Sequence, residues 1–167
     1  MIKSFANDDR TLKATEIIEQ LSSSDAYKRH QARLALESLG ESGLEALKAH
    51  IEDRNWHVRW EVVKALGEMG EVQTASILAL ALRDEETSVR WAAMDSLIQL
   101  GRESIRPMLE LLTTEFSSVR VREGVHHVLH ALNNQHLLNG PEIEVFHALE
   151  GAAPGIQAAW AASRALS

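Results

Sequence analysis

A motif that returns about every 30 residues constrains this chain more than any other feature. The segment from Asp25 to Gly40 recurs as Asn55 to Gly70 and again as Glu86 to Gly101. Arg29, Arg59 and Arg90 step by 30 and then 31 residues, and Gly40, Gly70 and Gly101 keep the same step. A period of this size marks stacked supersecondary units with a shared core, because one unit alone is too small to bury its apolar side.

Each unit reads as two helices. In the unit from Ser42 to Gly70, the run Leu44-Glu-Ala-Leu47-Lys-Ala-His-Ile51 places apolar residues at helical spacing, and Ser42 with Glu45 forms a capping-box pattern. Val58, Val62, Ala65, Leu66 and Met69 share one face of a second helix, with Asn55 as its expected N-cap and Gly70 as its stop. The first unit pairs Ile17, Ile18 and Leu21 with a helix from Ala26 to Leu39, and the third pairs Ile77, Leu78 and Leu82 with Val89, Ala93 and Leu97. In the fourth, Pro107 fits a first helical turn. Its second helix admits two registers. Arg120 in the arginine slot buries Glu123 and His127. Arg122 there buries Val121, Val125, Val128, Leu129 and Leu132 and makes Ser118 the N-cap. The second is preferred, because an unpaired buried charge costs more than a loop two residues longer. The fifth unit is degenerate, with Pro141 and Pro154 at helix starts, Gln157 in the arginine slot, and an expected apolar face of Phe146, Leu149, Ile156, Trp160 and Leu166. The expected organisation is a frayed segment over 1–10 and one repeat domain over 11–167, with units at 11–40, 41–70, 71–101, 102–133 and 134–167.

Composition narrows the function classes. The 167 residues are 45% hydrophobic and 25% charged, with no apolar run long enough to span a bilayer. The first ten residues hold no signal-peptide apolar stretch, and zero cysteines remove disulfides, thiolate zinc sites and cysteine nucleophiles. The expectation is a cytoplasmic protein. A formal charge of −7 and no Lys/Arg stripe argue against nucleic-acid binding.

The pattern Asp-x4-Val-Arg-Trp-x2-Val-x2-Ala-Leu-Gly-x-Met-Gly over Asp53 to Gly70, repeated nearly intact from Asp84 to Gly101, resembles the short HEAT-like repeat named after phycobilisome lyases. The resemblance is strong from residue 25 to 101 and weak after 123. It implies an all-α fold, a right-handed α-α superhelix (solenoid) of about five stacked helical hairpins, with the arginine-bearing helix lining the concave side. It also implies a structural ladder between neighbouring repeats, joined by an acid six residues before the arginine: Asp53 precedes Arg59 and Asp84 precedes Arg90 at that spacing, with Arg29 in the same slot. Ser23 and Thr114 stand where the outer acids would be.

That geometry selects an outward face on each second helix. It carries Ala26, Tyr27, His30 and Leu34 in the first unit, Trp56, His57, Trp60 and Lys64 in the second, and Thr87, Ser88, Trp91 and Asp95 in the third. The fourth adds Arg120, Glu123 and His127. Tryptophan and tyrosine are favoured at binding hot spots; the alternative is that the rings pack between repeats. Glu61 joins Lys64, Asp95 and Arg120 as charges expected to orient a partner. His126, His127 and His130 are close enough in sequence for a metal reading, since His126 and His130 are i,i+4. The related deoxyhypusine hydroxylases hold iron with His-Glu pairs after the repeat arginine; here those places read His30-Gln31, Trp60-Glu61, Trp91-Ala92 and Glu123-Gly124, so no such pair is present. No phosphate loop, nucleophile elbow or zinc-protease motif occurs.

The expected function is therefore a non-enzymatic scaffold without cofactor or bound metal, which holds another protein or peptide on the concave face and engages neither nucleic acid nor membrane. The resemblance carries an alternative, a bilin lyase-type accessory protein acting in tetrapyrrole attachment or removal. Metal-binding or DNA-binding HEAT-like proteins are more distant options.

Overall fold

A computed structural model describes residues 9–151 and 153–167 in full and residues 2–8 as helix backbone only. The fraying expected over residues 1–10 falls mostly outside the fully described residues. Among the described residues the chain is all-α. Five hairpins follow in order: α1 (Ile2–Glu19) with α2 (Ala26–Ser38), α3 (Glu41–Ala49) with α4 (Trp56–Met69), α5 (Ala75–Leu80) with α6 (Thr87–Leu100), α7 (Ile105–Thr114) with α8 (Val119–Asn134), and α9 (Gly140–Glu150) with α10 (Pro154–Ala165). The helices group into two compact units, one ending at Met69 and the other Gly70–Ser167. None of the described helices is long and apolar enough to cross a membrane.

In the first unit, first helices pack on first helices and second on second: α1 on α3, α2 on α4. Leu21, Leu36, Leu44, Leu47, Val62 and Leu66 fill the space between them and are fully buried. α3 begins at Glu41, and its N-cap is Gly40, not the capping box expected at Ser42. Gly40 has φ +58° and ends α2 while starting α3, so the connection is too short to leave Ser42 outside the helix. Asn55 caps α4 as expected, its Oδ1 accepting from the His57 N–H at 3.1 Å.

The second unit keeps this order through α5–α7 and α6–α8. The Arg122 register holds: Val121, Val125, Val128, Leu129 and Leu132 are fully buried, and the Ser118 Oγ accepts from the Val121 N–H at 3.4 Å. The last hairpin reverses the order. α9 packs on α8, and α10 packs on α7. Gln157 therefore does not stand in an arginine slot. The apolar face expected there is also different: Ala158, Ala161 and Ala162 form the buried stripe of α10, while Ile156 and Trp160 are exposed, the latter at 65%. Small side chains let α10 lie close on α7; the indole instead carries the Arg164 guanidinium 4.9 Å from its centroid.

The reversal follows a distinctive turn. His136, Leu137 and the end of α8 form a Schellman motif, with the Leu137 N–H bonded to the Leu132 carbonyl at 3.0 Å and the His136 N–H to the Asn133 carbonyl at 2.9 Å. Earlier hairpins place glycine at the positive-φ position after the second helix (Gly40, Gly70, Gly101); here it is His136, at φ +58°. Arg102 donates to the Leu137 carbonyl and pairs with the buried Glu142 at 3.0 Å, which pins the segment that follows. Glu142 also completes a capping box with Asn139. A β-carbon in the left-handed region costs about 1 kcal/mol. His136→Gly is therefore expected to raise stability by about 0.5–1 kcal/mol, read as a higher urea midpoint with an unchanged slope.

Four arginines share one contact. Arg29, Arg59, Arg90 and Arg122 each donate Nη1 to the main-chain carbonyl six residues earlier, on Ser23, Asp53, Asp84 and Phe116, at 2.7–2.8 Å. Because a carbonyl is the acceptor, any residue type serves, and Phe116 replaces Thr114 in the place expected for an acid. The Asp53 and Asp84 carboxylates cap the same turns, accepting from the N–H groups of Asn55 and Glu86 at 2.8 Å.

Candidate functional site

In the first unit, α2 and α4 present the expected residues in different states. Tyr27 is exposed in the first turn of α2. Trp56 is 37% exposed and stacks on His57 with centroids 3.7 Å apart. Trp60 is half-buried, and the Lys64 ammonium sits 4.9 Å from its ring centroid, a cation–π contact.

Glu61 departs from expectation. Placed by sequence among the partner-facing charges, it is 1% exposed. Its two carboxylate oxygens accept from Arg29 Nε and Arg33 Nη1. Arg33 Nε donates to Glu68 at 2.8 Å, and Arg33 Nη2 lies 3.1 Å from His30 Nδ1, so His30 belongs to this network although it is exposed. Burial alone would lower the Arg33 pKa; the hydrogen bond and charge of Glu68, and then those of Glu61, outweigh it and raise the value above that of a free guanidinium. The repeat does not single out Arg33, because no other unit carries arginine at that position.

The second unit holds a cleft of about 570 Å³ between α6 and α8. Thr87, Arg90, Trp91 and Met94 form its α6 wall. Arg120, Glu123, Gly124 and His127 form the α8 wall, which continues to His126 and His130. Helical spacing explains the selection, since 87, 90/91 and 94 share one stripe and 120, 123/124 and 127 another. Trp91 is 49% exposed and meets the His127 ring edge-on, with centroids 4.9 Å apart. Gly124 lets α8 pack closely on Leu82: a β-carbon there would stand 3.0 Å from Leu82 Cδ2. Asp95 is exposed on α6 and does not line this cleft.

Sequence reasoning thus found Trp91, Arg120, Glu123 and His127, and the structure brings these four together. Thr87, on the same expected face, also lines the cleft; sequence alone reads Arg90 as structural and misses Met94 and Gly124 as walls. The signal was available for Arg90 and Gly124, which stand at fixed offsets in the repeat. His126 and His130 lie with ring centroids 6.4 Å apart, both against Phe146, while His127 turns to α6. His126 stacks on Phe146 of α9 with centroids 5.3 Å apart, His127 meets Trp91, and His130 Nδ1 lies 3.4 Å from Asn134 Nδ2. No group of three or more His, Asp or Glu among the described residues is arranged to hold a metal.

Paired helices, a repeated arginine hook and glycine stops every 30 or so residues define an all-α repeat protein. A family model for HEAT repeats matches residues 14–97, half of the chain, and the chain belongs to the HEAT-repeat family. The match is to HEAT repeats as a class and does not select the phycobilisome-lyase type. Comparison with curated proteins finds no match. Repeat proteins of this kind generally serve as scaffolds for protein interaction.

Proposed function

We propose that this chain is a non-enzymatic module that binds another protein or a peptide through the outward faces of its second helices. One observation carries the reading: Trp91, half exposed, lines a cleft of about 570 Å³ flanked by charges of both signs, Arg120 and Glu123. A large ring in the wall of a cleft flanked by charges is an arrangement that protein hot spots use, since a partner removes the remaining apolar area from water while the charges set register. Trp56 beside His57, and Lys64 over Trp60, supply a second aromatic patch of the same kind on the first unit. The family supports the class of function, and the site residues are part of the proposal.

Affinity capture with mass spectrometry, comparing wild type with the double variant Trp56→Ala and Trp91→Ala, tests it. Both rings are exposed, so helicity should be unchanged and Tm should fall by no more than about 5 °C. A captured partner should be retained about 100-fold less well by the variant. Equal capture by both proteins, or a collapse of Tm, rejects these rings as the binding surface.

A further inference from the structure

We propose that the α6–α8 cleft binds a single carboxylate of a partner peptide, an Asp or Glu side chain, on Arg90 and Arg120, with a neighbouring apolar side chain laid over Trp91. The inference rests on the protein-binding reading and names the chemistry that this cleft takes.

Two arginines in the same repeat slot differ in their partners. Arg29 donates Nη1 to the carbonyl six residues back and Nε to the carboxylate of Glu61. Glu61 stands two residues after the next repeat arginine, Arg59. Arg90 keeps the first contact, with Nη1 bonded to the Asp84 and Glu85 carbonyls at 2.8 and 3.0 Å and Nη2 to Thr87 Oγ1 at 3.0 Å. The corresponding positions of the later units carry no acid: Ala92 stands two residues after Arg90, and Gly124 two residues after Arg122. Among the described residues no carboxylate pairs with Arg90, which lines the α6–α8 cleft together with Gly124. Arg29 shows that an arginine in this slot meets a carboxylate while keeping its carbonyl contact, and a partner's carboxylate supplies the same charge-assisted bond to Arg90.

The rest of the cleft fits that occupant. Arg120 is exposed, forms no ion pair among the described residues and lies on the same stripe of α8 as Gly124. Two arginines against the one acid, Glu123, make this cleft locally basic on a chain whose formal charge is −7. Glu123 on the same wall repels a second acid beside the first, which selects one carboxylate in an otherwise apolar segment and disfavours an acidic run. Trp91 and Met94 offer the apolar surface next to it.

The test is an NMR titration of the full chain with two capped peptides, acetyl-Ala-Leu-Glu-Leu-Ala-amide and its Gln counterpart. The Glu peptide should shift the Trp91 indole N–H and the Arg90 Nε–H signals and bind about tenfold more tightly than the Gln peptide. Gly124→Glu, which supplies an internal acid, should erase that preference, while Gly124→Ala should keep it. Arg120→Gln, a surface change, should weaken the Glu peptide by several-fold and leave the Gln peptide unaffected. Equal binding of the two peptides, no shift at Trp91 with either, or an undiminished preference in Gly124→Glu overturns the proposal. A protein partner lost from the Trp56/Trp91 double variant but captured undiminished by Gly124→Glu upholds the protein-binding reading and overturns the carboxylate site.

Discussion

Gly43→Ala is expected to destabilise the first unit by about 3–5 kcal/mol, although it adds one methyl group and replaces a poor helix former with the best one. The reason is contact, not propensity. α2 and α3 are joined by Leu39 and Gly40 alone, and α3 begins so close to α2 that a β-carbon on Gly43 would overlap the Leu36 carbonyl oxygen and stand 2.7 Å from its carbonyl carbon. Those are backbone atoms and cannot rotate away as a side-chain end would. Relief needs α3 to shift, which opens the packing of Leu44 and Leu47, both buried to 1% or less. Gly40→Ala provides the contrast. Nothing lies within 4 Å of the place its methyl group would take, and only the positive φ is strained, so the loss should be about 1 kcal/mol. Urea unfolding of the two variants separates the mechanisms; a Gly43→Ala loss no greater than that of Gly40→Ala would show that α3 accommodates the methyl group.

The second large effect is at Glu61. Glu61→Leu should cost about 3–5 kcal/mol, because it leaves two guanidinium groups, on Arg29 and Arg33, without the carboxylate that both contact. Arg33 is nearly as buried as Glu61 and keeps Glu68, itself partly in solvent, as its one acid, with His30 beside it. The cost arises from stranded charge, which gives a rescue test. Adding Arg33→Met to Glu61→Leu replaces a broken buried pair with apolar contact and should recover more than half of the loss. If the double variant is no more stable than Glu61→Leu, the ion pair is not the source of the effect.

Much of the local structure was legible from the chain. The arginine step located the second helices, and the penalty for burying Glu123 chose Arg122 over Arg120 in the fourth hairpin, a choice the buried Val121, Val125 and Val128 uphold. What misled was the role of particular side chains. Glu61 occupies the residue after Trp60 and reads as part of a partner-facing edge, but its partners lie 28 and 32 residues away on α2. Trp160 read as core because it is large and helically spaced, whereas α10 buries its alanines.

Helical hairpins, their arginine hooks and their glycine stops are set by interactions within a few residues, through apolar spacing, capping and the sign of φ, and so the amino-acid order alone determined them. The reversed order of α9 and α10, the pairing of Glu61, the clash latent at Gly43 and the cleft between α6 and α8 were decided only in three dimensions. Each depends on which helix lies against which, and that is settled by shape and charge among groups that the chain holds far apart.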